Sequence, residues 1–180
     1  MSKVFLDMAV SLDGFISGPN GADGGLHDWY FAETGKSEQI LEELQTGIGA
    51  MILGARAFGT SPDGFDTPYK IPHFVLTHTP RGAVTRDGAR FIFVTDGIYS
   101  ALEQAKSAAG EKDVCVAGGA NTAQQFLEAG LLDEIQLHLV PVILGGGIRL
   151  LEHIGADIKL ERSRVIAAPL ATHLQYRIVK

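Results

Sequence analysis

The chain has 180 residues, 46% of them hydrophobic and 20% charged, which is typical of one globular domain, residues 1–180, with a sizeable core. A net charge of −6, without any run of lysine and arginine, argues against binding to nucleic acid or anionic membranes. The single cysteine, Cys115, excludes an internal disulfide. With no signal-peptide pattern and no long apolar run, a cytoplasmic location is expected.

Strand-like and helix-like segments alternate along most of the chain. Strands are predicted over residues 3–10, 50–53, 73–77, 90–94, 114–117 and 135–144, the last of them interrupted by Pro141. Helices are predicted over residues 37–45, from Asp96 onward and over residues 124–129. Residues 59–70 are rich in Gly, Pro, Asp and Ser and predict a loop.

The helix that begins after Asp96 has a clear apolar face, with Asp96 as its predicted cap. That face consists of Ile98, Ala101, Leu102, Ala105 and Ala109. Near the C-terminus, residues 158–167 and 171–179 alternate apolar and polar side chains, as in an antiparallel hairpin.

Repeated strand-helix-strand units predict an α/β fold with a mainly parallel central sheet, helices on both faces and an antiparallel C-terminal edge. Ligands bind such sheets outside the carboxyl ends of the strands. We therefore expect the loops after Leu53, Leu76 and Ala117 to form one rim.

The third of these loops contains Gly118 and Gly119, between a buried strand and a helix. This order places free backbone N–H groups at the positive end of a helix, which suits a phosphate. Glycine allows close approach because it has no Cβ. A tight turn without a ligand is the alternative.

The other two loops carry phosphate- and ribose-binding chemistry. Gly54 ends a strand and Arg56 follows it, and an arginine fork can bind two phosphate oxygens. Thr77 and His78 follow the next strand and can bond a ribose or its phosphate. A surface arginine and a turn cap are the respective alternatives. Together the three loops suggest a dinucleotide lying across the sheet.

Several common catalytic patterns are absent from the sequence. The dinucleotide fingerprint G-x-G-x-x-G, the P-loop, H-E-x-x-H, the zinc-deaminase pattern and G-x-S-x-G are all missing. The six histidines are scattered without metal-ligand spacing, so no metal site is predicted.

Six motifs in order give the chain a resemblance to the dihydrofolate reductase superfamily. The closer likeness is to stand-alone relatives of the C-terminal reductase domain of the bacterial riboflavin-biosynthesis deaminase-reductase. The motifs lie at residues 11–16, 53–56, 75–78, 116–120, 132–135 and 141–147. The resemblance implies a dihydrofolate reductase-like three-layer fold, a homodimer and a reduced nicotinamide cofactor, usually NADPH.

The resemblance also assigns cofactor contacts to particular residues. The loops at Gly54, Arg56, Thr77 and His78 would hold the adenosine half, and the segment Gly118, Gly119, Ala120, Asn121 and Thr122 the diphosphate. Ala9, Ile16 and Gly18 would border the nicotinamide, and residues 26–29 the substrate. The resemblance allows a cis peptide between Gly118 and Gly119.

Two departures from the family pattern affect specificity. Ala55 and Ala57 stand where the family usually has arginine and often has threonine, which leaves NADH as an alternative cofactor; Arg56, His78 or Arg81 could compensate. Asp7 stands where the riboflavin-pathway reductases tend to carry lysine. A carboxylate there disfavours a sugar phosphate, because like charges repel.

Asp7 and Asp28 are the candidate catalytic acids, and Trp29 and Asp13 are candidate substrate contacts. Asp7 interrupts an apolar strand and shares a face with Phe5 and Ala9, so it needs a partner or a shifted pKa. For Asp7 a backbone bond, for Trp29 core packing, and for Asp13 a turn are the structural alternatives. Residues 145–147 are expected to form a bulge or turn that borders the pocket.

These features predict a reductase that transfers a hydride to a small heteroaromatic or imine-like substrate of pyrimidine or pterin type. The alternatives are a non-catalytic cofactor-binding sensor or scaffold, and dihydrofolate reductase proper. An apolar strand over residues 135–144, placed near a sheet edge, adds to the expectation of a homodimer.

Overall fold

The structure is a computed structural model that describes residues 2–32, 35–155 and 157–180, and most of its strands form one large sheet. In chain order the strands are β1 (Val4–Ser11), β2 (Phe15–Ser17), β3 (Ile48–Gly54), β4 (Pro72–Leu76), β5 (Val84–Arg86), β6 (Ala89–Val94), β7 (Asp113–Val116), β8 (Glu134–Val140), β9 (Ile148–Arg149), β10 (Leu160–Ala167) and β11 (Thr172–Ile178). The helices are α1 (Asp28–Phe31), α2 (Gly35–Gly47), α3 (Ala55–Phe58), α4 (Gly97–Ala109) and α5 (Ala120–Glu128), and a 3-10 turn spans Pro19–Gly21.

The large sheet is mainly parallel, as predicted. Its strand order is β10-β11-β8-β1-β7-β3-β4-β6-β5. The six strands from β8 to β6 run parallel, whereas β10 and β11 form the predicted antiparallel C-terminal edge. At the other edge β5 pairs antiparallel with β6. A separate small sheet pairs β2 with β9.

Alternation along β1 explains why both faces of the sheet are covered. Val4 and Leu6 point to one face and pack in a cluster with α4 and α5. Phe5 points to the other face and packs against Ile40 and Leu44 of α2. These contacts produce the predicted three layers.

Helix α4 buries the predicted apolar face against β3 and β4. Ala101, Leu102, Ala105 and Ala109 are buried, and Ile98 is partly buried. Asp96 occupies the cap position, but its side chain makes no capping hydrogen bond, so this detail of the prediction is wrong. Helix α4 is therefore held by its packing.

The strand predicted over residues 135–144 is shorter and lies elsewhere in the sheet than expected. β8 ends at Val140, because Pro141 has no N–H to donate to a neighbouring strand. It lies between β11 and β1, inside the sheet. The argument that placed this strand near an edge is wrong, and the outer strands are β10 and β5.

No helix within residues 2–32, 35–155 and 157–180 is long and apolar enough to cross a membrane.

Candidate functional site

The three predicted ligand loops lie on one rim of the sheet. β7, β3 and β4 are neighbouring parallel strands, so their carboxyl ends meet at the same edge. Gly54 ends β3, Thr77 follows β4, and Ala117 follows β7. The sequence-based prediction of a common rim is confirmed.

The glycine pair forms the floor of this rim and contacts the neighbouring loop directly. The backbone N–H of Gly54 donates to the carbonyl oxygen of Gly118 at 2.8 Å. Gly118 has φ +94°, and a Cβ there would lie 2.8 Å from Met8 Sδ. The Gly118–Gly119 peptide is cis, as the resemblance allowed. A side chain at position 118 would therefore have to displace the end of the Met8 side chain and adopt a φ that favours glycine.

Above this floor the rim is open. A Cβ built on Gly119 would meet no atom of the described residues within 4 Å. Helix α5 begins at the next residue, so the N–H groups of Ala120, Asn121 and Thr122 lack partners within the helix. Thr122 is buried, and a Cβ at Gly54 would lie 2.7 Å from its hydroxyl oxygen. The combination of an open floor and free N–H groups is a suitable site for a diphosphate.

The predicted adenosine-side residues lie farther out. Arg56 in α3 and His78 after β4 are exposed, and within the part of the chain that the structure describes neither side chain makes a hydrogen bond. Thr77 is half-buried, and its hydroxyl accepts a hydrogen bond from the N–H of Thr79 at 3.1 Å. Thr77 thus caps a turn, whereas Arg56 and His78 are available to a ligand.

Asp7 lies in an apolar strand, where a carboxylate needs a hydrogen-bonding partner, and the structure provides one. Its Oδ1 accepts a hydrogen bond from Nε2 of His138 at 3.0 Å. The His138 side chain is 1% exposed and that of Asp7 is 20% exposed. The alternative of a backbone-bonded aspartate is wrong, because the partner is a buried imidazole.

His138 is the first of three buried groups in a row behind Asp7. His138 and His173 face each other in register across β8 and β11, and their Nδ1 atoms lie 2.7 Å apart. His173 Nε2 lies 3.1 Å from the hydroxyl oxygen of Ser37 in α2. Sequence reasoning missed all three residues. The available signal was the pairing of β11 with β8, because the correct register would have placed His138 directly opposite His173.

Burial keeps His173 neutral. Desolvation, followed by the nearby His138, lowers the pKa of His173 from 6.5 to about 4. Between about pH 6.5 and pH 4, His173 binds a proton in the unfolded chain but not in the folded chain. The free energy of unfolding is therefore fully present above about pH 6.5 and falls as the pH drops toward 4. We expect this histidine to remove about 3 kcal/mol of unfolding free energy over that window. Urea unfolding at a series of pH values measures it, and the same slope in His173→Asn would contradict it.

Two tyrosines and the cysteine adjoin Asp7. Burial, and then the Asp7 charge, raise the pKa of the Tyr30 hydroxyl. Burial also raises the pKa of Tyr69, with Tyr30 and Asp7 as the next causes. Burial and Asp7 together raise the pKa of the Cys115 thiol well above its usual value. Cys115 is thus an inert core residue, as predicted, and the two phenols stay protonated beside the carboxylate.

Trp29 and Asp28, which were also predicted to lie at the site, have different surroundings in the structure. Trp29 is 2% exposed and packs on His138 with ring centroids 4.2 Å apart, so it fills the core as the alternative had it. With so little of its surface exposed, the indole offers no face to a substrate in this arrangement. Asp28 is exposed at the first position of α1. Its catalytic role stays a prediction.

Asp13 joins two loops. Its carboxylate accepts hydrogen bonds from the Ser11 hydroxyl at 2.6 Å and from the N–H groups of Leu144 and Gly145 at 3.1 and 2.8 Å. The Ser11 bond, followed by the two amides, lowers the pKa of Asp13 from 3.8 to about 2. The carboxylate is thus used within the chain, as the turn alternative predicted. Contact with a substrate stays untested.

The glycine run at residues 145–147 and the predicted nicotinamide border lie together. A Cβ on Gly147, which has φ +121°, would lie 1.9 Å from the carbonyl oxygen of Ser17. The run is therefore a turn packed on β2, as expected. Gly18 is buried beside it, Ile16 is half-buried in β2, and Ala9 is buried on the Asp7 face of β1.

Comparison with known proteins places this arrangement in a family. Residues 2–172 match the family model described as RibD C-terminal domain. The chain belongs to the RibD C-terminal domain family.

Among its relatives, RibD of Corynebacterium ammoniagenes is 29% identical over 162 residues, covering 83% of this chain and 46% of RibD. The uncharacterized protein YwjB of Bacillus subtilis is 25% identical over 176 residues, 97% of each chain.

Solved structures confirm the fold. A deaminase and 5-amino-6-(5-phosphoribosylamino)uracil reductase from Thermotoga maritima matches with TM-score 0.70 and 18% identity, covering 99% of this chain and 57% of that one. Dihydrofolate reductase from Enterococcus faecalis, complexed with NADP(H), matches with TM-score 0.66 and 15% identity, covering 99% and 97%. The predicted dihydrofolate reductase-like fold is thus confirmed.

Proposed function

We propose that this chain is a reductase that uses a reduced nicotinamide dinucleotide to reduce a small heteroaromatic or imine-like substrate of pyrimidine or pterin type. NADPH is the preferred cofactor, with NADH as the alternative. The family, and the NADP(H) complex of a protein with the same fold, support this proposal. The observation that carries it is the pairing of an open glycine rim with a partly exposed carboxylate on the adjoining strand.

The rim residues fit a dinucleotide. Gly119 leaves its floor open, and α5 begins at the next residue with first N–H groups that lack partners within the helix. Gly54 lies against Thr122 with no room for a side chain, which keeps the two loops close. These residues would hold the diphosphate, and Arg56 and His78, both exposed on that rim, would hold the adenosine end.

The acid–base chemistry would come from Asp7. When bound, a reduced nicotinamide supplies the hydride. Asp7 Oδ1 is occupied by His138, and the side chain keeps 20% of its surface exposed, so its other oxygen can face a substrate. The protonated phenols of Tyr30 and Tyr69 offer donors beside it. Asp7 would donate the proton that accompanies hydride transfer.

The same carboxylate would set the substrate's charge. A negative side chain in a half-buried pocket repels a phosphate and favours a neutral or cationic ring. We therefore propose that this chain does not share the phosphorylated substrate of the riboflavin-pathway reductases.

The test is a substrate panel with both cofactors. Purified chain is titrated with NADPH and NADH, then mixed with dihydrofolate and with ribosylaminopyrimidines with and without phosphate, and loss of reduced cofactor is followed by absorbance. Reduction of an unphosphorylated pyrimidine or pterin supports the proposal. Cofactor binding without turnover on any pterin, pyrimidine or quinone would favour the non-catalytic sensor or scaffold. Preference for dihydrofolate would favour dihydrofolate reductase proper.

Arg56→Ala tests the adenosine end of the site. If Arg56 contacts a 2′-phosphate, the change removes a charge-assisted bond of about 1.5–3 kcal/mol, so NADPH affinity falls about tenfold or more. NADH affinity should change little. Calorimetric titration measures both, with Arg90→Ala as control, because Arg90 is exposed at the opposite end of β6. Equal losses for both cofactors would place Arg56 at the diphosphate instead.

We also propose a homodimer, which now rests on the family resemblance and on an outer strand. β10 is the outermost strand of the sheet, and its Leu160 and Val165 side chains are exposed. Val179, which directly follows β11, is exposed as well. An unpaired edge with apolar side chains favours pairing with a second copy. Light scattering at micromolar concentration should give twice the chain mass, and a monomer would refute the proposal.

A further inference from the structure

Three buried side chains stand behind Asp7 in a hydrogen-bonded row. His138 Nε2 lies 3.0 Å from Asp7 Oδ1, the Nδ1 atoms of His138 and His173 are 2.7 Å apart, and His173 Nε2 lies 3.1 Å from Ser37 Oγ. The two histidines are 1% and 3% exposed, and Ser37 is fully buried. We call His138, His173 and Ser37 the backing row. Of these four groups Asp7 alone, with 20% of its side chain exposed, has appreciable contact with solvent.

The far end of the backing row is closed. Ser37 has no exposed surface, so solvent water cannot give its hydroxyl a hydrogen or take one away. Trp29 covers both imidazoles, with its ring centroid 4.2 Å from that of His138 and 5.0 Å from that of His173. Protons therefore enter and leave this series of groups at Asp7, from its open side.

An ionised Asp7 and two neutral imidazoles give the row a single direction of donation. A carboxylate only accepts, so His138 donates from Nε2, and its bare Nδ1 accepts from Nδ1 of His173. His173 Nε2 is then bare and accepts the hydroxyl hydrogen of Ser37. The neutral state of His173 agrees with its pKa, which burial and the nearby His138 lower from 6.5 to about 4.

The opposite direction satisfies these groups less well. It would put the hydrogens on His138 Nδ1 and His173 Nε2, so that the bare Nε2 of His138 would face the Asp7 carboxylate as one acceptor against another. The Ser37 hydroxyl would accept from His173, and its own hydrogen would lose His173 as an acceptor. A charged His138 would turn His173 and Ser37 in the same way, and would place the charge where water cannot solvate it.

The direction of the row decides where an acidic hydrogen on Asp7 resides. Because His138 Nε2 carries a hydrogen, Oδ1 of a protonated Asp7 must remain an acceptor, as the carbonyl oxygen of the acid. The acidic hydrogen is then on Oδ2, the oxygen that the row leaves free. A bare Nε2 would instead accept the hydrogen of Asp7 and hold it in the core, away from a substrate.

We infer that the backing row directs the acidic hydrogen of Asp7 toward the substrate, by holding Oδ1 as a permanent acceptor so that Oδ2 carries the hydrogen. The inference rests on the proposed function, in which Asp7 gives a proton to the substrate. His138 is then a positioning residue that acts through Asp7. His173 and Ser37 are positioning residues that fix the tautomer of His138.

The hydrogens of the backing row stay in place during turnover. When Asp7 gives up its proton, the Oδ2–H bond breaks, the substrate gains the hydrogen, and the carboxylate accepts a stronger, charge-assisted bond from His138. Water on the open side of Asp7 then supplies the next proton to Oδ2. Transfer of the His138 Nε2 hydrogen would require Ser37 to release its hydroxyl hydrogen at the closed end, where nothing replaces it.

The first experiment determines the tautomers and needs no substrate. Ring ¹⁵N shifts of the labelled full-length chain are recorded at about pH 8, above the pKa of an ordinary histidine. We expect hydrogens on Nε2 of His138 and on Nδ1 of His173. His73 is the internal reference for the second form, because its Nδ1 lies 2.8 Å from the carbonyl oxygen of Ile71 and must carry a hydrogen. A hydrogen on Nδ1 of His138, in a neutral or a charged ring, would overturn the inference.

The second experiment is a double-mutant cycle with a substrate that the wild type reduces. His138→Leu removes the donor to Asp7, and we expect kcat to fall about tenfold or more with little change in KM. In the Asp7→Asn background, which has no acidic hydrogen to direct, the same change should cause no further loss. His138→Gln should restore most of the lost kcat, because its amide can donate to Asp7 and accept from His173. Equal losses from His138→Leu in both backgrounds would show that the imidazole only supports packing.

His73→Leu is the matched control for the loss of a buried imidazole. His73 is also fully buried, near the start of β4 and thus at the end of the strand opposite the glycine rim. We expect a lower melting temperature and wild-type kcat. A loss of kcat as large as that in His138→Leu would trace both effects to packing and contradict the inference.

The two experiments separate the inference from the proposed function. Turnover in a chain whose His138 has a bare Nε2 would support the reductase and overturn the inference. The expected tautomers in a chain that reduces no substrate of the panel would overturn the reductase, whereas the row would still direct the hydrogen of Asp7 to the open side.

Discussion

Asp7→Asn is expected to lower turnover by about two orders of magnitude or more while leaving the dissociation constant of the cofactor unchanged. An amide cannot donate a proton to the product, and general acid catalysis typically contributes about 10²–10⁴-fold. Asparagine has nearly the same shape, so it can still accept the hydrogen bond of His138 Nε2. The loss would therefore report on proton donation and not on packing. Steady-state kinetics and calorimetric cofactor titration measure the two quantities.

Matched variants make this result specific. Asp157→Asn removes an exposed carboxylate that precedes β10 and should leave turnover unchanged. Asp28→Asn compares the second predicted acid with the first, and a larger loss there than in Asp7→Asn would transfer the role of proton donor. Asp7→Lys should admit phosphorylated ligands, because it replaces repulsion with attraction. Full turnover in Asp7→Asn with a verified substrate would refute the role of Asp7.

The sheet and the glycine rim could be predicted because their signals are local. A strand of small apolar residues followed by Gly118 and Gly119 indicates the turn before α5 without reference to any other segment. The parallel direction of β7, β3 and β4 follows from the repeated strand-helix units, whereas their order in the sheet was not predicted. The common rim could be predicted from the glycine turn and the parallel strands alone, and the sequence indicates both.

The partner of Asp7 could not be predicted because it depends on long-range register. Asp7 and His138 are 131 residues apart, and His138 meets His173 only because β11 pairs with β8 inside the sheet. A β8 strand near the edge of the sheet, as predicted, would not have β11 beside it, so the contact between His138 and His173 could not be foreseen. The elements α1, β2, β5 and β9 were missed for a different reason. Each has two to four residues, too few to show a periodic pattern.

The same dependence on register explains why the sequence left two roles open for Trp29. Tryptophan after an aspartate, close to a predicted pocket, suggested either a surface for a flat ring or core packing. Its actual partner is the His138 imidazole, which only the pairing of β8 with β1 and β11 brings beneath α1. The position of Trp29 close to the site was predictable from the sequence, whereas its contact with His138 was not.

Gly119→Val is expected to abolish measurable cofactor binding while the chain still folds. Among residues 2–32, 35–155 and 157–180, a Cβ at this position meets no atom within 4 Å, which leaves room for the side chain. The branched methyl groups would instead occupy the open floor of the rim, in front of the N–H groups of Ala120, Asn121 and Thr122. A diphosphate needs that space to reach the backbone. Calorimetric or fluorescence titration with NADPH measures the loss, and circular dichroism confirms the fold.

Gly47→Val is the control for this change. In the part of the chain that the structure describes, a Cβ built on Gly47 also meets nothing within 4 Å, but Gly47 precedes β3, at the opposite end of the strand from Gly54. The same side chain added there should leave cofactor affinity as it is in the wild type. If Gly119→Val binds NADPH normally, the diphosphate does not lie on the glycine pair. A loss of affinity in both variants would point to a general effect of added valine, and only a loss confined to position 119 supports the rim as the diphosphate site.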